Sequence, residues 1–449
     1  MKEGTAVSEV PAGGRPPCPA GRRTGLRTVA LCCAVVLGAQ VAASAGPTEA
    51  EALKKEELRV AEDLLAALPS SVDALGLLGS AYHHHGNAAE AVRCWEECLR
   101  RDPKRPDAYY ALAEVALHRG QFKQAETLCR NALALYAELP GGHRRLAQAL
   151  LRSGKIQQAI AAMEQGVKIA PRSSNNHYFL AQAYLQAEAY EKAERHFRIA
   201  VEIHPEHTNA YYGLATACAR LGRWKQAGEY RKKFQDLKAA DRETLRREKR
   251  HIDAETDLAA ICRNAALTHT AAGQMYHRRG NADRARQLWA RAAQLDPKNT
   301  QCRLELARLH QKNNRLAESL RIFEQLAQIE PNNVKHHASL GVLNARLKRP
   351  DAAEKAFKRV IQLAPQGAAG YEGLARLYMS TNTKLADARV LAETAARLSP
   401  SAWSYFLLSE ACRRTADRAG ARAAMKKAVE LEPHNAHYRR LYEQLRGGK

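Results

Sequence analysis

Aromatic residues are scarce, at 6% of 449 positions. The chain also carries no glycine-rich phosphate loop, no nucleophile elbow and no paired-cysteine metal spacing. Without them, P-loop phosphoryl transfer, serine hydrolysis from a strand-helix elbow and a structural zinc site have no sequence support. The nearest candidate for a metal is His83-His84-His85. Adjacent residues on a helix point in different directions, so three neighbouring imidazoles are expected to be exposed at a helix end and not to converge on one ion. No metal and no cofactor is expected. Disulfides fare no better. Of ten cysteines, Cys18, Cys32 and Cys33 lie before residue 46 and seven remain, an odd and scattered set. They read as buried thiols acting as small hydrophobes. Cys94 and Cys98 share a helix face at a spacing that does not suit disulfide geometry.

What is abundant is helix-forming: 45% of residues are hydrophobic, and Ala, Leu, Arg, Glu, Lys and Gln recur throughout. With 70 basic and 47 acidic residues the formal charge is +23. That field attracts anionic partners and says nothing about fold.

Residues 1–45 read as a cleavable signal peptide. Arg22, Arg23 and Arg27 precede an apolar segment from Thr28 to Val41, and Ala43 and Ala45 supply the small residues required just before a cut at Gly46. The segment falls short of the ~20 residues that span hydrocarbon, which leaves an uncleaved membrane anchor as the alternative. Gly25 weakens the match of Arg22-Arg23 to a twin-arginine signal, and Leu31 argues against lipidation at Cys32. The expected location is exported, periplasmic or extracellular.

Proline sets the period. Pro69, Pro103, Pro171 and Pro205 are separated by 34, 68 and 34 residues, and Pro297, Pro331, Pro365, Pro400 and Pro433 by 34, 34, 35 and 33, with Ala137 at the missing mark. Such regularity signals one supersecondary unit repeated. Between Ser174 and Pro205, Leu180, Ala181 and Tyr184 share one face of a first helix, and Ala193, Phe197, Ala200 and Ile203 one face of a second. Pro205 stops the second helix. Gly86, Gly120, Gly154, Gly222 and Gly280 fall at the helix-helix turn.

Leu, Gly or Ala, Tyr, Ala, Phe, Ala and Pro at these positions resemble the tetratricopeptide repeat signature. It recurs as Leu78-Gly79-Tyr82-Ala91-Trp95-Cys98-Pro103, Gly273-Tyr276-Ala285-Trp289-Ala292-Pro297, Leu340-Gly341-Ala353-Phe357-Pro365 and Leu374-Ala375-Tyr378 with Pro400. The resemblance implies an all-α, right-handed superhelical solenoid of about ten 34-residue helix-turn-helix repeats with no attached catalytic domain. Five repeats are assigned to 70–239 and five to 265–433, the ninth lengthened by one residue within 381–384. Helices at 46–69 and 434–449 are expected to cap the open ends. Between the blocks, 240–264 is charged nearly all round and reads as a helical spacer with little apolar face. Each block is expected to fold alone.

In the family this resembles, the first helix of each unit lines a concave face. Carried over by position, that face takes Tyr110, Arg144, Gln148, Arg152, Asn175, Tyr178, Gln182, Asn209, Tyr212 and Arg220 from the first block. Arg278, Arg308, Lys312, Lys335, Arg346 and Arg376 come from the second. Donors, tyrosines and a basic excess suit an extended, acidic peptide or protein. The lysine and asparagine set of a chaperone-tail clamp is incomplete, and the asparagine ladder of the O-GlcNAc transferase superhelix is missing. The leading expectation is an exported protein-protein interaction scaffold, without enzymatic activity. Alternatives are a binder of polyanion (nucleic acid or an anionic envelope polymer) or an accessory subunit of an enzyme encoded elsewhere. Export and the lack of a repeated base-reading pair disfavour nucleic acid.

Overall fold

The computed structural model describes residues 47–249 and 255–447. The expected signal peptide and the expected cut before Gly46 lie outside the described residues, as does 250–254 of the spacer. Among the described residues there are 22 helices and no strand. Helix α1 spans Pro47–Ala67. Five helix pairs follow: α2 Val72–His84 with α3 Ala88–Arg101, α4 Pro106–His118 with α5 Phe122–Leu135, α6 Gly142–Arg152 with α7 Ile156–Ile169, α8 Ser174–Gln186 with α9 Tyr190–Ile203, and α10 Thr208–Arg220 with α11 Trp224–Lys249. The second set of pairs is α12 Glu255–Arg278 with α13 Ala282–Leu295, α14 Thr300–Lys312 with α15 Leu316–Ile329, α16 Val334–Arg346 with α17 Pro350–Leu363, α18 Ala368–Thr381 with α19 Leu385–Leu398, and α20 Ala402–Arg414 with α21 Arg418–Leu431. Helix α22, Ala436–Gly447, ends the array.

Each pair closes for the same reason. Small residues such as Ala181, Ala193 and Ala200 are fully buried where the helices approach, and Phe197, 1% exposed, fills the remaining gap. The turn needs one left-handed residue. Gly86 supplies it at φ 78°, whereas Glu188 at φ 59° and Lys348 at φ 57° adopt the same conformation against the preference of a side chain. In the ninth unit the extra residue is absorbed by two left-handed positions, Asn382 and Lys384. Within each block successive pairs stack, the second helix of one unit against the first helix of the next.

Helix α1 does not cap a free end. It lies against α2 and α12, and α2 also packs on α12. Val60 and Leu64 form one core with Ala74, Ala272 and Leu288, and Leu53 forms another with Leu258 and Ile261. Thr268 Oγ1 donates to Glu57 at 2.7 Å, and Tyr276 Oη lies 3.5 Å from the Asp63 carbonyl, so α1 and α12 run parallel. Arg278, at the end of α12, reaches Asp73, at the start of α2, at 3.8 Å, so those two helices run antiparallel. The second block therefore joins the first at its N-terminal end, not after α11. The charged-spacer expectation for 240–264 fails in its second half for the same reason, since Leu258 and Ile261 are buried by α1. At the other terminus α22 does cover the last pair, with Tyr438 buried against Ala402, Met425 and Ala428.

Candidate protein-interaction groove

The first helices of consecutive units lie side by side: α4 by α6, α6 by α8 and α8 by α10. Side chains that turn away from their own second helix remain at the surface along this row.

Tyr110 on α4 is half-buried and already engaged. The Arg145 guanidinium stacks 3.7 Å over its ring, donates to its carbonyl at 3.0 Å and pairs with Glu114 at 2.7 Å. Arg145 thus bridges two units, a role that the sequence alone does not display. On α6, Gln148 and Arg152 are exposed and Arg144 is half-buried. Arg144 lies 5.8 Å from the Phe179 ring on the following unit, and Arg152 lies 5.9 Å from Phe122 on the preceding one. The two guanidinium groups thus spread across three units. On α8, Gln182 donates to Tyr178 Oη at 2.6 Å, and the Tyr178 ring sits 4.8 Å from His207. Burial pushes the Tyr178 hydroxyl up, and it stays protonated at neutral pH.

Asn175 and Asn209 are exposed and line one cavity of about 730 Å³ with His204, His207, Phe234 and Lys238. Tyr212, 59% exposed, lies 5.4 Å from Phe234, and Arg220 is exposed beyond it. Phe234 and Lys238 escaped the sequence reading because they belong to a second helix. The available signal was Phe234 itself, which stands where other units place small residues such as Ala132, Ala200 and Ala292.

The second block is more dispersed. Arg278 pairs with Asp73 and Arg308 with Glu305 at 3.3 Å. Lys312, Lys335 and Arg346 are exposed, and Arg376 lies 5.6 Å from the Trp403 ring. Among the described residues, no carboxylate pairs with Arg144, Arg152, Arg220, Lys312, Lys335, Arg346 or Arg376.

Two further sets of residues are placed by the structure. His84 and His85 are not free at a helix end: both reach Glu57, His84 Nδ1 at 3.0 Å and His85 Nε2 at 2.9 Å, and that carboxylate is 1% exposed. No group of His, Cys, Asp and Glu among the described residues could hold a metal ion. The seven cysteines outside the N-terminal segment are free, and only Cys262 is not fully buried.

Paired antiparallel helices, most of them 13 or 14 residues long, stacked unit on unit with a solvent-lined row of first helices, define a helical-repeat solenoid. The comparisons narrow the class. Models described as tetratricopeptide repeat match residues 144–206 and 180–241, 276–341, and 337–366 with 404–435. One described as anaphase-promoting complex, cyclosome, subunit 3 matches residues 84–166. The chain is a tetratricopeptide repeat protein. No matched model describes an enzyme family. No curated protein matches the chain. Among solved structures, MamA residues 41 to the end from Desulfovibrio magneticus RS-1 is 23% identical, with 38% of this chain and 96% of that one covered and a TM-score of 0.36. Yeast Tom70 is 18% identical over 84% of this chain and 95% of its own, at TM-score 0.34. YrrB, titled a TPR protein with an unusual peptide-binding site, is 14% identical over 40% and 92%, at TM-score 0.35.

Proposed function

We propose that this chain is a non-catalytic scaffold that holds an extended, acidic segment of a partner protein along the first helices of repeats two to five. The observation that carries this reading is the set of unneutralised cations on that row. Arg144, Arg152 and Arg220 have no carboxylate partner among the described residues, and they stand beside the amides of Gln148, Asn175 and Asn209. An extended backbone would bond the amides, and its carboxylates would meet the guanidinium groups in paired hydrogen bonds. We place the scaffold outside the cytoplasm on the strength of the N-terminal segment, with a mature end at Gly46 that N-terminal sequencing of exported protein would identify. Retention of 28–41 in a membrane fraction would replace that reading with an anchor.

Arg144 and Arg152 reach toward neighbouring units in opposite directions, so changing both to Ala removes two separated contacts to one extended ligand. Each lost pair at a partly exposed site costs about 1 kcal/mol, so a fluorescein-labelled Asp/Glu-rich peptide should bind roughly tenfold to a hundredfold more weakly, with helicity and melting temperature unchanged. Binding should also fall as salt rises. Equal affinity in the double variant, or indifference to salt, would remove the groove as the binding surface. Preference for a polyanion of any sequence over the peptide would turn the reading toward polyanion binding.

A further inference from the structure

The fifth repeat breaks a rule that the other nine obey. At the twenty-fourth position of the unit those nine carry a buried apolar residue, among them Trp95, Met163, Phe197, Trp289, Phe357 and Met425. This side chain is the knob on which the next unit sits. A Cβ built at Gly213 on α10 would meet the Phe197 ring of α9 at 2.3 Å, and one at Gly373 on α18 would meet the Phe357 ring of α17 at 2.3 Å. The knob thus presses directly on the backbone of the following first helix. In the fifth unit the position is Arg231, and it is exposed. Among the described residues no helix stacks on α11 as α10 stacks on α9 or α8 on α7, because the sixth unit is drawn away to α1 and α2.

The vacated seat is not simply polar. Tyr212 is 59% exposed, Phe234 lies 5.4 Å from it, and Trp224 at the start of α11 is 72% exposed. Around them, Arg231, Lys232, Lys233 and Lys238 have no carboxylate partner among the described residues. The C-terminal end of the array is treated differently. There α22 covers the last pair and buries Tyr438. An end meant only to be solvated would not keep an aromatic pair beside unpaired cations.

We propose that the α10–α11 end of the first block is a docking site for an acidic amphipathic helix of a partner protein, which takes the seat of the missing first helix of a stacked sixth unit. The shape argument is that every other such seat in the block holds a helix, about 10 Å across. Charge supplies the chemistry of the occupant: a carboxylate facing Arg231 forms the paired hydrogen bonds of a guanidinium clamp, others meet Lys232 and Lys238, and an aliphatic residue packs on Tyr212 and Phe234. Single-stranded nucleic acid also favours cations beside aromatic rings, but it does not fill a groove built between two antiparallel helices as a third helix does. This site adjoins the row of first helices in repeats two to five and shares Tyr212, Phe234 and Lys238 with its fifth-repeat end, but it uses neither Arg144 nor Arg152.

The test uses the full chain and three fluorescent probes: a helical peptide of about five turns with Glu on one face and Leu beside them, its Glu→Gln analogue, and a poly(U) strand. Anisotropy reads affinity and hydrogen exchange reads location. The acidic peptide is expected to bind and to protect amides of residues 208–240, the Gln analogue to bind at least tenfold more weakly, and Arg231→Glu and Tyr212→Ala each to weaken the acidic peptide by roughly tenfold. These exposed positions should leave the melting temperature unchanged. A Lys-for-Glu peptide should recover binding to the Arg231→Glu, Lys238→Glu chain, which keeps the test decisive if one variant is impaired. Arg144→Ala with Arg152→Ala should leave this binding intact, so failure of the groove and failure of the end site are separable. Equal binding of the Gln analogue, indifference to Arg231→Glu, or protection of 208–240 by poly(U) alone would overturn the proposal.

Discussion

His177 and His196 meet through their Nδ1 atoms at 3.1 Å, with the rings stacked at 5.4 Å and the Tyr184 ring also stacked on His196 at 5.7 Å. One Nδ1 donates and the other accepts in this contact. Burial, with His177 adding to it, pushes His196 down to about 4. The folded state therefore favours the neutral ring. Its contribution to stability is fully present above the ordinary value of 6.5 and is lost as pH falls from there toward about 4. His196→Gln should flatten that part of the profile, as read from urea midpoints across the same window. An unchanged slope would show that acid acts elsewhere. This pair was invisible to sequence reading because two histidines nineteen residues apart become neighbours only when the helices of one unit close. The His83–His85 run misled for the converse reason. It was conspicuous, but its partner Glu57 lies on a helix whose docking leaves no local pattern.

Between units, a recurring staple joins elements that the period alone does not connect. Glu126 pairs with Arg130 on its own helix and with Lys155 at the turn of the next unit, Glu194 with Arg198 and Arg223, and Glu354 with Lys358 and Lys384. The same position in units two, four and eight thus ties one second helix to the turn of the next unit. Lys358, with Lys384, holds the Glu354 carboxyl down at about 2. Glu194 is the most enclosed of the three, at 4% exposed. Glu194→Gln keeps the volume but removes the charge shared by two guanidinium groups, at a cost of about 1–2 kcal/mol. In a chain whose units contact chiefly their neighbours, the loss should appear as faster hydrogen exchange in α9 and the α10–α11 turn, with α14 to α21 unaffected. Uniform loosening of the whole array would contradict a local staple. The helices themselves were legible, because proline and the turn glycine repeat at fixed distance. The staples were not, because a Glu on an amphipathic helix reads as a solvated residue until the next unit is stacked on it.

At the scale of the whole molecule, the sequence displays two blocks of five repeats but hides how they meet. The seam is made by contacts such as Glu57 with Thr268, 211 residues apart, and no period can announce those. Two consequences run against reading the blocks as independent. A fragment of residues 264–449 lacks α1, Leu258 and Ile261, so its first helix exposes Ala272 and its second exposes Leu288 and Arg291, the last of which makes two 2.8 Å bonds to Glu56. That fragment should fold only from α14 onward unless residues 47–67 are supplied, whereas 47–239 keeps every contact within its own block. Deleting 47–67 from the full chain should then separate the blocks, seen as a larger radius of gyration by small-angle scattering and as two unfolding steps in place of one. Acid should do the same more gently. Burial pushes the Glu57 carboxyl up, but the bonds from His84, Thr268 and His85 outweigh it and hold the group below its ordinary 4.5. A depressed carboxylate stabilises the fold above that value and loses its contribution as pH falls through the folded one, so the radius should begin to grow just below pH 4.5 and Glu57→Gln should remove that onset. If the deleted chain scatters like the parent, and 264–449 melts as it does within the full protein, then α1 lies on the seam without holding it.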